Sequence, residues 1–245
     1  MNSASSAPCV RVSWPHLLVA VAAAVALLQA CDEATGLSGN EVSVRVAHAS
    51  PSTPTFDVLL NGRPSVPNST LDFGESTGCF RVDATNPGLT FRQSATGAAI
   101  LGPESFNLVP RGRHIVVVWG PSANLHFTAL TDLPDAPPLD PGRARVRVFN
   151  GTSIAGRLYV YATPLNVAQP QQALVDSVVP GGYTRYVNMP AGAVQLQVNQ
   201  GATGNVLDGL NVVVPSGQEL SVMAVDPAPG GAGLRWALAE MCPAG

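Results

Sequence analysis

This chain of 245 residues contains no lysine, and its 13 permanently basic residues are all arginine. Charged residues of both signs make up only 12% of the chain, the net charge is −3, and no basic run occurs. Nucleic-acid binding needs a clustered positive face, so this composition argues against a nucleic-acid partner. Without lysine the chain also cannot form a Schiff base with a carbonyl substrate. No glycine-rich phosphate loop or paired-carboxylate motif is present either.

Helical periodicity is also missing. After residue 42 no stretch of ten or more residues keeps the spacing of an amphipathic helix. Short apolar or alternating runs are interrupted instead by Gly, Pro and Asn, and the chain has 24 Gly and 22 Pro. This pattern is typical of strands joined by tight turns, and it marks Asn61-Gly62, Arg111-Gly112 and Ser216-Gly217 as predicted turns. The sequence therefore predicts an all-β fold.

The chain also lacks a hydrophobic run of membrane-spanning length. LLVAVAAAVALL at residues 17–28 is shorter than the roughly 20 residues that a transmembrane helix needs. It follows Arg11 and ends at Leu28-Gln29-Ala30-Cys31, which resembles a bacterial lipobox, so residues 1–30 are predicted to be a signal peptide. Cys31 would carry the lipid that anchors the exported protein, and residues 31–41 would form a polar tether. An ordinary secretory peptide and a retained membrane anchor are the alternatives.

The rest of the chain contains an internal repeat. VRVAHAS at residue 44 matches VRVFNGT at residue 146, an offset of 102, and LVPRGRHIVVV at 108–118 matches VVPSGQELSVM at 213–223, an offset of 105. Two tandem β-domains are therefore predicted at residues 42–131 and 144–242, with a proline-rich linker at 132–143. About seven short strands in roughly 90 residues suit an immunoglobulin-like β-sandwich, and a small barrel is the alternative.

The run V-R-V-x-H-A-S-P, followed by Pro54 and by Asp57-Val58, resembles a family of exported bacterial proteins known as domain of unknown function 4397. The typical family run reads H-A-S-P-D-A-P, whereas this chain has Ser52-Thr53 in place of Asp-Ala. The second copy lacks the H-A-S-P run but keeps a family-like Met189-Pro190-Ala191-Gly192 before VQLQV. The resemblance implies a secreted β-sandwich repeat, often in lipoproteins, with no established activity.

His48, Ser50 and Asp57 are the residues from which a hydrolytic site could be built. A hydrolase needs a nucleophile, a base within hydrogen-bond reach and an orienting acid. No nucleophile-positioning turn surrounds Ser50, however, and Pro51 fixes the chain directly after it. The alternative is a structural role, in which these side chains bind backbone groups at a strand end and its turn. The structural role is the favoured prediction.

No metal site or cofactor is predicted. The plausible metal ligands are His48, Asp57, His114 and His126, and none has the close spacing of a dependable site.

Aromatic residues of the second copy indicate an interaction surface. Tyr159 and Tyr161 alternate with apolar residues, so both should lie on the strand face opposite the core. Tyr183 and Arg185 are predicted to share one face of a following strand. Exposed tyrosine beside arginine suits a surface that binds a protein or a glycan. Rings that cover the other copy or an edge strand are the alternative.

Cysteine usage predicts one disulfide. Of the four cysteines, Cys9 leaves with the signal peptide and Cys31 carries the lipid. Cys79 and Cys242 remain, and an even pair in an oxidising compartment usually forms a bridge. One lies in each copy at non-equivalent positions, so the bond would link the two domains.

Together these features predict a non-enzymatic, lipid-anchored protein of the bacterial cell envelope that acts in binding, adhesion or scaffolding. Its partners would be the membrane, through the N-terminal lipid, and an envelope protein or a glycan. A periplasmic or surface hydrolase that uses His48, Ser50 and Asp57 is the alternative.

Overall fold

The computed structural model describes residues 39–85, 87–101, 108–132, 139–153, 155–165, 173–200 and 206–243. The predicted signal peptide, Cys31, most of the tether and residues 133–138 of the linker lie outside the described residues. Among those that are described, no helix is long and apolar enough to cross a membrane. Every regular element in this part of the chain is a β-strand, so the predicted all-β class is confirmed.

Eight strands form the first half of the molecule. Their bounds are β1 Glu41–Ala49, β2 Phe56–Leu60, β3 Thr70–Leu71, β4 Phe80–Asp83, β5 Leu89–Gln93, β6 Ala99–Leu101, β7 Arg113–Trp119 and β8 His126–Asp132. After β2, Asn61 and Gly62 both have positive φ, and Leu60 and Arg63 exchange two backbone hydrogen bonds across them. Asn and Gly tolerate this conformation, so the tight turn predicted at Asn61-Gly62 is confirmed.

Eight further strands form the second half. Their bounds are β9 Arg143–Gly151, β10 Leu158–Pro164, β11 Ala173–Val178, β12 Val187–Pro190, β13 Gly192–Gln200, β14 Val206–Val214, β15 Glu219–Val225 and β16 Arg235–Glu240. Each half has an inner sheet, β4-β1-β7-β8 or β12-β9-β15-β16, and an outer sheet, β3-β2-β5-β6 or β11-β10-β13-β14. The strand order is the same in both halves, and the only parallel pairs among these strands are β1 with β7 and β9 with β15. The predicted pair of β-sandwiches is confirmed.

A separate apolar core fills each sandwich. In the first half, Phe56 and Phe91 of the outer sheet pack with Val116 of the inner sheet. In the second half, Val160 of the outer sheet packs in the same core as Val222 of the inner sheet. Inward-facing residues therefore alternate with outward-facing residues along the outer strands, as the sequence pattern predicts.

A third core joins the two halves, and the sequence does not predict it. Ile115 and Trp119 of β7 pack in one buried cluster with Phe149 of β9 and Met223 of β15. The inner sheets are therefore covered on both faces, and six consecutive residues of β7 are buried. Strands that are buried on both faces have nearly continuous apolar runs rather than alternation, which explains the run HIVVVW. The exact domain limits 42–131 and 144–242 stay predictions, because the centre of the linker lies outside the described residues.

The two halves align with an offset that differs by one residue from the sequence comparison near β7 and β15. Ser43 of β1 donates its backbone N–H to the Gly112 carbonyl at 3.1 Å. Arg145 of β9, its counterpart at the offset of 102, donates its backbone N–H to the Gln218 carbonyl at 3.0 Å. This correspondence gives an offset of 106 rather than 105. Arg111, with φ of 62°, therefore corresponds to Gly217, with φ of 79°. The sequence comparison aligned Gly112 with Gly217, whereas the structure aligns Arg111 with Gly217, and both of these residues have a left-handed backbone conformation.

Covalent and ionic links also connect the halves. Cys79 and Cys242 form a disulfide with a Cα–Cα distance of 5.7 Å, so the predicted pairing is present. The Glu219 carboxylate of the second half lies 2.7 Å from the Arg113 guanidinium of the first half and 2.9 Å from that of Arg145. Because these groups are largely shielded from solvent, salt screens their attraction less than that of exposed pairs.

Candidate functional site

His48 lies near the end of β1 and is fully buried. Its Nδ1 atom accepts a hydrogen bond of 3.3 Å from the backbone N–H of Ser50, and its ring stacks on Phe56 at 4.5 Å between centroids. Burial lowers the pKa of His48 from 6.5 to about 4, although the backbone carbonyls of Thr53 and Pro54 act in the opposite direction. His48 is therefore a neutral residue at neutral pH, held by packing and by the turn that follows it.

The Ser50 hydroxyl is also engaged in the fold. It donates a hydrogen bond of 2.5 Å to the carbonyl of Gly120 and shares a second hydrogen bond of 2.6 Å with the Thr53 hydroxyl. Ser50 has no solvent-exposed surface. A nucleophile needs an activating base and access for the substrate, and this hydroxyl instead ties the turn after β1 to the end of β7.

Asp57 lies on β2 of the outer sheet, whereas His48 lies on β1 of the inner sheet and Ser50 directly follows that strand. Its carboxylate accepts hydrogen bonds of 2.8 Å from both Thr70 and Ser94, and it lies 3.6 Å from the Arg92 guanidinium. Partial burial favours the neutral carboxyl group of Asp57, but the hydrogen bonds from Ser94 and Thr70 and the charge of Arg92 have a larger combined effect. The pKa of Asp57 is therefore lowered from its ordinary value. The carboxylate is bound to the outer sheet, and the structure does not assemble His48, Ser50 and Asp57 into a triad.

The second half shows the role of His48 most directly. Asn150 corresponds to His48, and its Oδ1 atom accepts the backbone N–H of Thr152 at 3.0 Å. The Asn150 amide then donates to the carbonyls of Gly156 and Val178, at 2.8 and 3.0 Å. An amide thus replaces an imidazole at the same strand end, which supports the structural role that the sequence favoured.

The histidines that were considered as metal ligands are dispersed. His114 is buried, with Nδ1 3.1 Å from the Thr131 hydroxyl and Nε2 3.2 Å from the Val109 carbonyl, and burial lowers its pKa. The ring of His126 lies 4.8 Å from that of Trp119. Within the described ranges, no three His, Cys, Asp or Glu side chains are grouped as metal ligands.

Tyr159 and Tyr161 lie on the solvent side of the second outer sheet. The neighbours Leu158 and Val160 are fully buried, whereas both tyrosines are half-buried. The side chains on opposite strand faces therefore alternate as predicted.

Amide side chains flank these two rings on the β13 side. Residues directly opposite each other on antiparallel strands share a face. The pairs across the sheet are Tyr159–Asn199, Tyr161–Gln197, Thr163–Gln195 and Gln195–Asn211. The Gln197 amide also donates to the Asn199 carbonyl oxygen at 2.9 Å. The alternation in VQLQV predicts which side chains face outward, but only the strand pairing places them beside the tyrosines.

Tyr183 and Arg185 belong to a different surface, which corrects the predicted grouping of the four residues. They lie in an extended segment before β12, where Tyr183 forms only an isolated bridge with Phe149 of the inner sheet. Both are exposed, with buried Thr184 between them, so their predicted shared side is retained without a regular strand. The Tyr183 ring contacts the guanidinium of Arg147, with 5.2 Å from Cζ to the ring centroid.

Residues 42–161 match a family model described as "Domain of unknown function (DUF4397)". The chain belongs to the DUF4397 family. The matched range covers the first sandwich and continues through β9 to Tyr161 in β10. It therefore includes the H-A-S-P run and both tyrosines of the second outer sheet. No curated protein matches this DUF4397 chain.

Several solved structures show a distant likeness to this DUF4397 chain. A candidate cell adhesion protein from Bacteroides uniformis is 8% identical, with 82% of this chain and 96% of that chain covered and a TM-score of 0.31. A carbohydrate-binding module of family CBM26 from Eubacterium rectale Amy13K, solved with maltoheptaose, is 11% identical, with 83% and 98% covered and a TM-score of 0.24. Likenesses at these TM-scores carry no argument about function.

Proposed function

We propose that this protein is a non-enzymatic binding module of the bacterial cell envelope and that its ligand is an uncharged glycan. The proposed binding surface is named the tyrosine face and consists of Tyr159, Tyr161, Gln195, Gln197 and Asn211. The observation that carries the proposal is the pairing of two neighbouring tyrosine rings with a field of amides on one solvent-facing sheet.

The chemistry of the tyrosine face suits a sugar. Aromatic rings offer apolar faces with a polar edge, which fit the C–H and hydroxyl groups of a pyranose. Each Gln or Asn amide offers two donors and one carbonyl acceptor, so neighbouring amides can bind vicinal hydroxyl groups. None of the five side chains of the tyrosine face carries a charge, and the exposed Arg157 guanidinium next to them donates to the Ser177 hydroxyl opposite Tyr159 at 3.1 Å. The amides and rings therefore suit an uncharged polyol.

Attachment to the envelope is the second part of the proposal. The apolar run at residues 17–28 and the sequence Leu28-Gln29-Ala30-Cys31 support export followed by lipidation of Cys31. The disulfide between Cys79 and Cys242 agrees with an oxidising compartment outside the cytoplasm. A lipid at Cys31 would hold the folded part near the membrane through the short segment that follows it.

Glycan binding can be tested with the purified full-length protein on an array of neutral and acidic oligosaccharides. The double change Tyr159→Ala with Tyr161→Ala should reduce binding of neutral glycans at least tenfold, because both stacking surfaces are removed. Thermal stability should change little, since both rings face solvent rather than the core. Affinity is then measured by isothermal titration calorimetry with the strongest glycan.

Arg185→Ala is the matched control, because Arg185 is exposed on the other surface of the same half. It should keep the affinity of the unmodified protein. Equal losses in both variants, or binding confined to proteins rather than glycans, would contradict the proposal. Ester or glycoside hydrolysis that disappears in Ser50→Ala would show that the protein is an enzyme instead.

A further inference from the structure

A buried arginine of the second half provides the starting point. The guanidinium of Arg147 lies between two aromatic rings, with Cζ 5.2 Å from the centroid of Tyr183 and 4.5 Å from that of Tyr186. Its nitrogens also donate to two backbone carbonyls of β8, at 3.0 and 3.3 Å. A guanidinium over an aromatic face is stabilised by the ring quadrupole, most strongly when solvent is excluded. The repeat offset of 102 makes Arg45 of β1 the counterpart of Arg147.

The two tyrosines have no aromatic counterparts in the first half. Ser76 corresponds to Tyr183, because each forms a single antiparallel bridge to equivalent positions of β1 and β9. The next residue is a threonine in both halves, and its hydroxyl accepts a backbone hydrogen bond of 2.9 or 3.0 Å. Two residues further along, Cys79 corresponds to Tyr186 and is bonded to Cys242. Small side chains therefore replace both rings beside Arg45.

A cleft of about 320 Å³ lies beside Arg45 and is here named the Arg45 cleft. Its polar lining includes Ser76, Gln218 and Glu240, and its apolar lining includes Val213 and Leu238. These two apolar side chains are 70% and 40% exposed, so apolar surface faces solvent at the cleft. The Nε atom of Arg45 is buried there and has no hydrogen-bond partner.

We propose that the Arg45 cleft binds a small, uncharged phenolic compound whose ring stacks on the Arg45 guanidinium. The ring would take the place that the tyrosines hold beside Arg147, and Val213 and Leu238 would cover its edges. Ser76 and Gln218 offer hydrogen-bond partners for the ligand's hydroxyl group. Glu240 interacts electrostatically with Arg45 and offsets its charge, so the pair gives no net attraction for an ion and suits an uncharged ligand. The inference does not depend on the glycan proposal, since the Arg45 cleft and the tyrosine face share no residue.

The test titrates 4-methylphenol into the detergent-solubilised full-length protein and measures affinity by calorimetry. Ser76→Tyr restores the aromatic residue of the other half and should weaken binding at least tenfold, because its ring fills the cleft. Ser65→Tyr adds the same ring at an exposed loop position and should leave the affinity unchanged. The saturated analogue 4-methylcyclohexanol should bind at least tenfold more weakly than 4-methylphenol, because it has no π face.

Arg45→Lys provides a second test that does not add volume. It keeps the positive charge but removes the planar guanidinium, so affinity for 4-methylphenol should fall at least fivefold. Unchanged affinity in both Ser76→Tyr and Arg45→Lys, or no binding by the unmodified protein, would overturn the proposal. A short tyrosine-containing peptide that binds tenfold more tightly than 4-methylphenol would indicate a polypeptide ligand and would also overturn it.

Discussion

His48 and Asn150 occupy the same position at the ends of two equivalent strands, although their side-chain chemistry differs. Each accepts a backbone N–H from the residue two positions later, at 3.3 Å in one half and 3.0 Å in the other. The shared contact is structural, because an amide cannot perform the proton transfer that an imidazole performs. At the residue scale, a histidine near a serine is therefore explained by the turn that both residues stabilise.

The first prediction at this scale concerns acid stability. The pKa of His48 is lowered from 6.5 to about 4 in the folded protein, so the unfolded chain binds this proton first on acidification. The resulting stabilisation is complete above pH 6.5 and is lost as the pH falls towards 4, by about 3 kcal/mol for one buried group. His48→Asn should reduce this loss, and urea unfolding at pH 7 and pH 4 measures it.

His114 has a lowered pKa as well and is retained in the variant, so part of the acid dependence should remain. The difference between the variant and the unmodified protein isolates His48. If both proteins lose the same stability between pH 7 and pH 4, the histidine is not buried in its neutral form.

The strands of the outer and inner sheets differ in how directly their sequences report their surroundings. In β10, buried Leu158 and Val160 alternate with half-buried tyrosines, so the local pattern predicts which face meets solvent. In β7 the pattern disappears, because both faces meet apolar cores. In the turns before β7 and β15 the local sequence also fails to report the backbone conformation, because the left-handed residue is arginine in one half and glycine in the other.

A substitution at Gly217 tests the turn before β15. Gly217→Ala should lower the free energy of unfolding by about 1 kcal/mol, because alanine is strained at a φ of 79°. No atom lies within 4 Å of the Cβ position, so steric contact adds nothing to this cost. Arg111→Ala is the matched control and should change stability by less, because that position already holds a residue with a Cβ atom. Chemical denaturation measures both, and equal losses would contradict the conformational explanation.

At the scale of the whole molecule, the shared core and the disulfide act on different states. The third core stabilises the native contact between halves by burying residues such as Trp119, Phe149 and Met223. The disulfide joins residues 163 positions apart and therefore restricts the unfolded chain more than the folded one. The two contributions can be separated by removing the bond and leaving the core intact.

Replacing both cysteines separates the contribution of the disulfide from that of the third core. Cys79→Ala with Cys242→Ala should lower the free energy of unfolding by up to about 5 kcal/mol, the loop-entropy contribution of a bond that joins residues 163 positions apart. The halves should still unfold together in one transition, because the third core persists. Denaturation followed by tryptophan fluorescence tests this, with the unmodified oxidised protein as reference. Two separate transitions would show that the disulfide, rather than the core, couples the halves.

The sequence by itself determined the strand content, the duplication, the cysteine pair and the outward side of β10, because each depends on local periodicity, composition or counting. Only the tertiary structure decided that Asp57 lies apart from Ser50, that Tyr183 covers Arg147, and that Arg45 borders a cleft. These relations join residues that are distant along the chain, and the free energy that selects them comes from burying two sheet faces together. No local pattern records which faces will meet.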